Sequence, residues 1–211
     1  MDSQLDIAVI GSGRGSNFQA ILSAIAQGRI PRTRIRLVIS NNSTAGILGI
    51  ARDHALPAVH LSQKQFPDEQ AFVDALLKVL REHDVNLIAL AGYMKQLPAQ
   101  LVRAYKNRII NIHPALLPKF GGQGMYGMHV HEAVIAAGEK VSGATVHAVD
   151  EEYDHGSILL QRTVPVLPGD TPETLAARVL SVEHQLYPEA LRMIAEGEIT
   201  VGSRQVTVQE S

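Results

Sequence analysis

The chain has 211 residues, of which 45% are apolar and 19% charged, enough to bury one substantial core. Its 19 Lys and Arg stand against 21 Asp and Glu, a balance that gives no electrostatic support for nucleic acid or an anionic membrane as main partner. Cysteine is absent, which excludes disulfides, thiolate nucleophiles and cysteine-held metals.

The opening "MDSQLDIAVI" lacks the basic and apolar regions of a secretory leader. No run reaches the roughly 18 apolar residues of a membrane helix, so the expectation is a cytoplasmic protein. "DIAVI" (6–10) reads as a strand, followed by a helix over about 16–28 that Gly28 can end. "IRLVIS" (35–40) precedes the helical "TAGILGIARDHA", and "AVHL" (58–61) follows. The spacing of Phe72, Leu76 and Leu80, with Val73 and Leu77, predicts a helix over about 68–83. "NLIALA" (86–91) and "RIINI" (108–112) are continuous apolar runs, as expected of parallel strands covered on both faces. The first 112 residues therefore read as a doubly wound α/β unit.

Beyond Pro114, "VSGATVHAVD" (141–150) and "SILLQRTVPV" (157–166) read as an antiparallel pair added to the sheet. A long helix begins near 171, capped by Thr171 or Asp170 with Pro172 in its first turn. Leu175, Val179, Val182 and Leu186 mark its buried stripe, and Pro188 is expected to kink or break it. Without a repeat, linker or second domain, the chain divides into one domain over 1–197 and a polar tail over 198–211.

The stretch "VIGSGRGSN" (9–17) joins a strand to a helix through a glycine-rich turn. A dinucleotide fingerprint needs a third glycine where Ser16 stands, and an acid after the second strand, where Ser40, Asn41 and Asn42 stand. A triphosphate loop needs Gly-Lys-Ser/Thr, which is missing. What remains is a set of backbone N–H groups, the Ser16 hydroxyl and the Asn17 amide at a helix N-terminus, suited to one compact phosphate. A plain tight turn with Ser16 as N-cap is the alternative. Neither reading uses Arg14.

Ligands of open parallel sheets bind beyond the carboxyl ends of the strands. One such end is "INIHPALLPKFGG", where Asn111 and His113 share a face two residues apart. They offer a neutral donor and a titratable group, parts suited to an oxyanion or to proton transfer, although an Asn-x-His alone reads first as structural. The next strand ends "HAVDEEYDHG". Asp150 there is expected to approach His113 and favour its charged form, while Glu151 and Glu152 fit a solvated turn. "LAGYMKQLP" (90–98) fits either the wall of a pocket for a flat ring or a plain loop. His129-x-His131 would face one side on a strand, but no further ligand stands at a convincing spacing, so no metal is expected. His54, His60, His83 and His147 read as surface or packing residues.

These stretches, with "SGATVHAVDEEYDHGSILLQ" and "EHQLYP", carry a resemblance over about Ile7 to Gly197. The chain resembles the phosphoribosylglycinamide formyltransferase family, the folate-dependent transformylases of purine biosynthesis. The resemblance implies a Rossmann-like, doubly wound, mostly parallel sheet with an antiparallel strand pair in its C-terminal half. It implies 10-formyltetrahydrofolate as co-substrate, no metal, and small-molecule partners only, with neither nucleic acid nor membrane, in a monomer or homodimer. By position, Gly15, Ser16 and Asn17 would hold the substrate's phosphate and Glu183 its ribose. Met94, Lys95 and Leu97, with backbone at Ala148 and Val149, would border the folate. Asn111, His113 and Asp150 would form the catalytic trio. Two departures stand out: Lys95 where arginine is frequent, and a lengthened link with four glycines between 121 and 127, expected as a flap with Met125 and Tyr126 as contacts.

Overall fold

The apolar runs that lack polar alternation do so because both of their faces are covered. The computed structural model describes residues 4–202 and the backbone of 207–209. Among these, eight strands form one sheet: β1 (Leu5–Ile10), β2 (Thr33–Ser40), β3 (Ala58–His60), β4 (Leu87–Leu90), β5 (Ile109–His113), β6 (Val141–Ala148), β7 (Ile158–Pro165) and β8 (Thr207–Gln209). In β1, Ile7 and Val9 enter one core while Ala8 and Ile10 enter another on the opposite face. The first core is closed by α1 (Ser16–Ala26), α2 (Gly46–Asp53), α5 (Met128–Ala136) and α6 (Pro172–Ala195), and the second by α3 (Glu69–Glu82) and α4 (Ala99–Ala104).

The strand order is β3-β2-β1-β4-β5-β6-β7-β8. β1 pairs in parallel with both β2 and β4, so the winding reverses there. A crevice opens beyond the carboxyl ends of β1 and β4, the place where such sheets take ligands. β6 runs antiparallel to both β5 and β7, so its end at Ala148 lies beside Ile110 near the start of β5, and the turn that follows folds back toward His113 at the exit.

Three expectations change. The helix α6 is not broken at Pro188 but continues to Ala195. Proline removes one i→i−4 hydrogen bond, while Leu186, Tyr187, Ala190 and Leu191 on either side are fully buried and hold the helix to the sheet. Residues 128–136, where no element was expected, form α5; on a helix His129 and His131 diverge by about 200°, so His129 is exposed and His131 buried. Finally, Ile199 and Val201, in the expected tail, are buried in the first core, whereas 203–206 and 210–211 lie outside the described residues. No described helix is long and apolar enough to cross a membrane.

The N-terminus of α6 is fixed by a reciprocal cap, in which Thr171 and Thr174 each accept the other's backbone N–H. Four turns on, Tyr187 is fully buried, and its hydroxyl donates to the Leu90 carbonyl at 2.9 Å with the Ile110 carbonyl at 3.3 Å. Burial holds this phenol well above its ordinary pKa, so it remains a donor. Replacing it by Phe leaves buried carbonyl oxygen without its partner, at a cost of about 1–3 kcal/mol. Tyr187→Phe should therefore lower the unfolding free energy by that amount, read by circular dichroism as a lower urea midpoint at unchanged slope, while the transition stays cooperative.

Candidate active site

The turn after β1 is held on both sides by main-chain bonds: Gly11 N–H donates to Ile39 O at 3.0 Å and Ser12 N–H to Gly92 O at 3.0 Å. The Ser12 hydroxyl donates to Asn41 Oδ1 at 2.7 Å and accepts the Met94 N–H at 3.1 Å. One hydroxyl thus ties the turns after β1, β2 and β4 together. Gly15 precedes α1 in the left-handed region, at φ 86°, and a Cβ there would lie 2.9 Å from Ile47 Cα, so only glycine fits. Ser16 is the first residue of α1 rather than its cap, and no side chain caps the helix. The first-turn N–H groups are therefore left for an anion.

Asn17, on that first turn, donates through Nδ2 to Glu183 Oε2 at 2.6 Å, across 166 residues of sequence. Both are buried, and Asn17 Oδ1 has no hydrogen-bond partner. Burial pushes the Glu183 carboxyl up to about 7, against the smaller downward pull of Asn17. Gly13–Asn17 and Glu183 line one end of a cleft of about 660 Å³. Its other walls are 91–95 after β4, Asn111–Pro114, the glycine-rich 122–127, His131, and Tyr153 with Asp154.

Asn111 and His113 leave β5 on the same face, as their spacing predicts. Opposite Asn111 in the antiparallel register is His147 of β6. His147 Nδ1 lies 2.8 Å from the Ala148 carbonyl oxygen, which only accepts, so Nδ1 carries the hydrogen. Nε2 then presents a lone pair to Asn111 Nδ2 at 3.1 Å. Burial pulls the His147 imidazole below its ordinary value, which keeps this neutral arrangement. His113 Nε2 is likewise 2.8 Å from the Phe120 carbonyl oxygen and carries hydrogen; its Nδ1 faces a carboxylate at 3.5 Å. Burial lowers the His113 imidazole more than that carboxylate and Phe120 raise it.

That carboxylate belongs to Asp154, not to the expected Asp150. Asp154 Oδ2 also accepts the Gly122 N–H at 2.9 Å, and Oδ1 is 3.6 Å from His147 Nε2. Asp150 instead accepts the Glu152 N–H at 2.9 Å, lies 3.5 Å from His155 Nδ1 and is well exposed. The reason is the hairpin: β6 ends at Ala148, whose N–H bonds Ser157 O at 2.9 Å. The chain therefore swings outward at Asp150 and returns over β5 at Asp154, which takes a left-handed φ of 52°.

Of the residues expected around the folate, Lys95, Leu97 and Val149 line a smaller adjoining pocket together with Tyr93, Gln96, Asn111, His147 and the 150–154 turn. Met94 borders the larger cleft and is half exposed, whereas Ala148 is buried and borders neither. Met125 and Tyr126 of the glycine-rich segment border the larger cleft, and Met125 N–H bonds Gly122 O at 3.1 Å. No cluster of three or more His, Asp or Glu suited to a metal occurs among the described residues. Sequence reasoning missed Asp154 and His147. The signal for His147 was its alternation with Thr145 on the strand that faces Asn111 and His113; Asp154 needed the hairpin register.

A family model described as formyl transferase matches residues 5–191. The chain is 45% identical over 193 residues to the chloroplastic phosphoribosylglycinamide formyltransferase of Vigna unguiculata, covering 92% of this chain but only 62% of that protein's length. With the phosphoribosylglycinamide formyltransferase of Haemophilus influenzae it shares 39% identity over 193 residues, covering 92% of this chain and 88% of the other. The crystal structure of glycinamide ribonucleotide transformylase 1 from Symbiobacterium toebii superposes with a TM-score of 0.88 at 42% identity, covering 95% of this chain and 92% of that one.

The buried Glu183 makes stability depend on pH. Between the ordinary carboxyl value of about 4.5 and the folded value of about 7, the folded chain keeps a proton that the unfolded chain has lost. Stability therefore falls as pH rises through this window, by about 3 kcal/mol in all at 1.36 kcal/mol per unit. Glu183→Gln should flatten that part of the curve, gaining on the wild type at pH 8 and not at pH 4.5, as read from urea midpoints across the range.

Proposed function

The chain belongs to the formyl transferase family, and from that premise we propose that it moves the formyl group of 10-formyltetrahydrofolate to the amine of glycinamide ribonucleotide. The products are formylglycinamide ribonucleotide and tetrahydrofolate, a step of purine biosynthesis carried out in the cytoplasm. The observation that carries this reading is the single cleft of about 660 Å³, with an uncapped helix N-terminus at one end and the Asn111, His113 and Asp154 cluster at the other. A phosphate on the α1 amides and Ser16, with ribose hydroxyls at Glu183, directs the amine of such a nucleotide along the cleft toward β5. The folate lies against 93–97 and 149–154, where Lys95, Leu97 and Val149 line the smaller pocket.

The reaction asks for three things. As the amine nitrogen bonds to the formyl carbon, the C=O electron pair moves onto oxygen and needs donors. Asn111 Nδ2 has two hydrogens, and because His147 Nε2 holds one, the other is available to the oxyanion. His113 supplies a second donor through Nε2–H, which rests on the Phe120 carbonyl in this structure. A well-placed donor of this kind contributes about 3–4 kcal/mol. The third need is a proton path: the amine must lose a proton and N10 must gain one as its bond to the formyl carbon breaks. Asp154, beside His113, stays ionised and so favours the charged imidazole, while a water placed at its carboxylate relays the proton from the amine to N10. No covalent enzyme intermediate is required.

Formyl transfer from a 10-formylfolate donor to glycinamide ribonucleotide, followed by absorbance, tests the reading; formate release without need of an acceptor would overturn it in favour of hydrolysis. In the same assay Asn111→Ala, His113→Ala and Asp154→Asn should each lower kcat by about 10²–10³-fold. Asp150→Asn should stay within about threefold of the wild type, since its carboxylate does not reach His113.

A further inference from the structure

The phosphate end of the cleft raises a question of charge. A phosphate monoester carries about −1.5 to −2 at pH 7, and the N-terminus of a helix offsets only about half a charge. Glu183 stands behind Asn17 and adds negative charge whenever it ionises. Neither the first turn of α1 nor the stretch of α6 that faces it, at Ala176, Leu180 and Glu183, provides a cation.

Two permanent cations border the cleft, Arg14 and Lys95. Lys95 also lines the smaller pocket beside the 150–154 turn and so serves the far end. Arg14 lies within the phosphate turn itself, exposed, and it makes no ion pair or hydrogen bond among the described residues. Its backbone is nevertheless fixed. A Cβ on Gly46 would lie 2.9 Å from Arg14 O and 3.3 Å from its Cα, so the start of α2 packs directly on it. On either side, Gly13 O accepts the Ile47 N–H at 3.2 Å, and Gly15 takes its left-handed turn against the same Ile47. A pinned main chain with an unpartnered guanidinium at the mouth of an anion site is a poor arrangement for stability and a good one for capturing an anion.

We propose that Arg14 is the counter-charge for the substrate's phosphate and so selects the phosphorylated nucleotide over its unphosphorylated riboside. This rests on glycinamide ribonucleotide being the acceptor. The planar guanidinium suits two phosphate oxygens at once, which an ammonium does not.

Calorimetric titration of wild type, Arg14→Gln and Arg14→Lys with ribose 5-phosphate reads the contact without turnover. Arg14→Gln should weaken ribose 5-phosphate about tenfold or more, with Arg14→Lys between it and the wild type. In the formyl-transfer assay the KM for glycinamide ribonucleotide should rise by the same factor, while the KM for the formyl donor stays put and the use of glycinamide riboside is unaltered. Because Arg14 is exposed, the thermal midpoints should match. Ribose 5-phosphate affinities within twofold of each other, or an equal loss for the riboside, would overturn the proposal. If wild type binds ribose 5-phosphate through Arg14 yet never formylates the nucleotide, it is the acceptor assignment that falls.

Discussion

One buried hydroxyl ties together the parts of this molecule that must keep their distance. Tyr187 reaches from α6 to the carbonyls that end β4 and sit beside Asn111 on β5. Glu183 lies one turn earlier on the same helical face and reaches Asn17 at the head of α1. The helix thus acts as a ruler with two marks. One is set against the turn after β1 and the other against the strands that lead to Asn111 and His113. Since α6 is also clamped by a continuous buried stripe and passes Pro188 unbroken, neither mark moves without the other.

Burial gives the cleft its electrical character. It lowers the affinity of His113, His131 and His147 for protons and raises that of Glu183 and Tyr93. Each shift favours the neutral form, so much of the wall tends toward neutrality before ligands arrive. Charges brought in by substrates then meet few opposing ones, in surroundings where water screens them weakly. In such surroundings the long 3.5 Å approach of Asp154 to His113 gains strength as the cleft is filled, because exclusion of water raises every interaction inside it.

Much of this was legible in the residues. Apolar runs without alternation called for a parallel sheet covered on both sides, and the glycine turn lost its dinucleotide reading through Ser16 and Asn41. Asn111 and His113 showed themselves by a spacing of two. What could not be read is equally specific. Four acids stand between 150 and 154, and only the pairing of Ala148 with Ser157 decides that the last of them returns to the site. The helix over 128–136 follows a glycine-rich stretch with no side-chain cap, and its buried face of Val130, His131 and Val134 includes a histidine, so its two histidines resembled a strand pair. Pro188 reads as a breaker because propensity is local, whereas the contacts that override it are distant in sequence, Tyr187 reaching Leu90 across 97 positions.

The hold on His113 and Asp154 is made by main chain: Gly122 N–H on Asp154 and Phe120 C=O on His113. Peptide groups are the same whatever side chain they bear, so this grip is indifferent to what stands at Gln123, Met125 or Tyr126. Those three positions border the cleft and meet whatever occupies it. The segment therefore divides its work: its backbone holds His113 and Asp154 in place while its side chains form the cleft wall, so 123–126 is a place where the shape and polarity of that wall can be varied by evolution or by design with the His113–Asp154 geometry left intact.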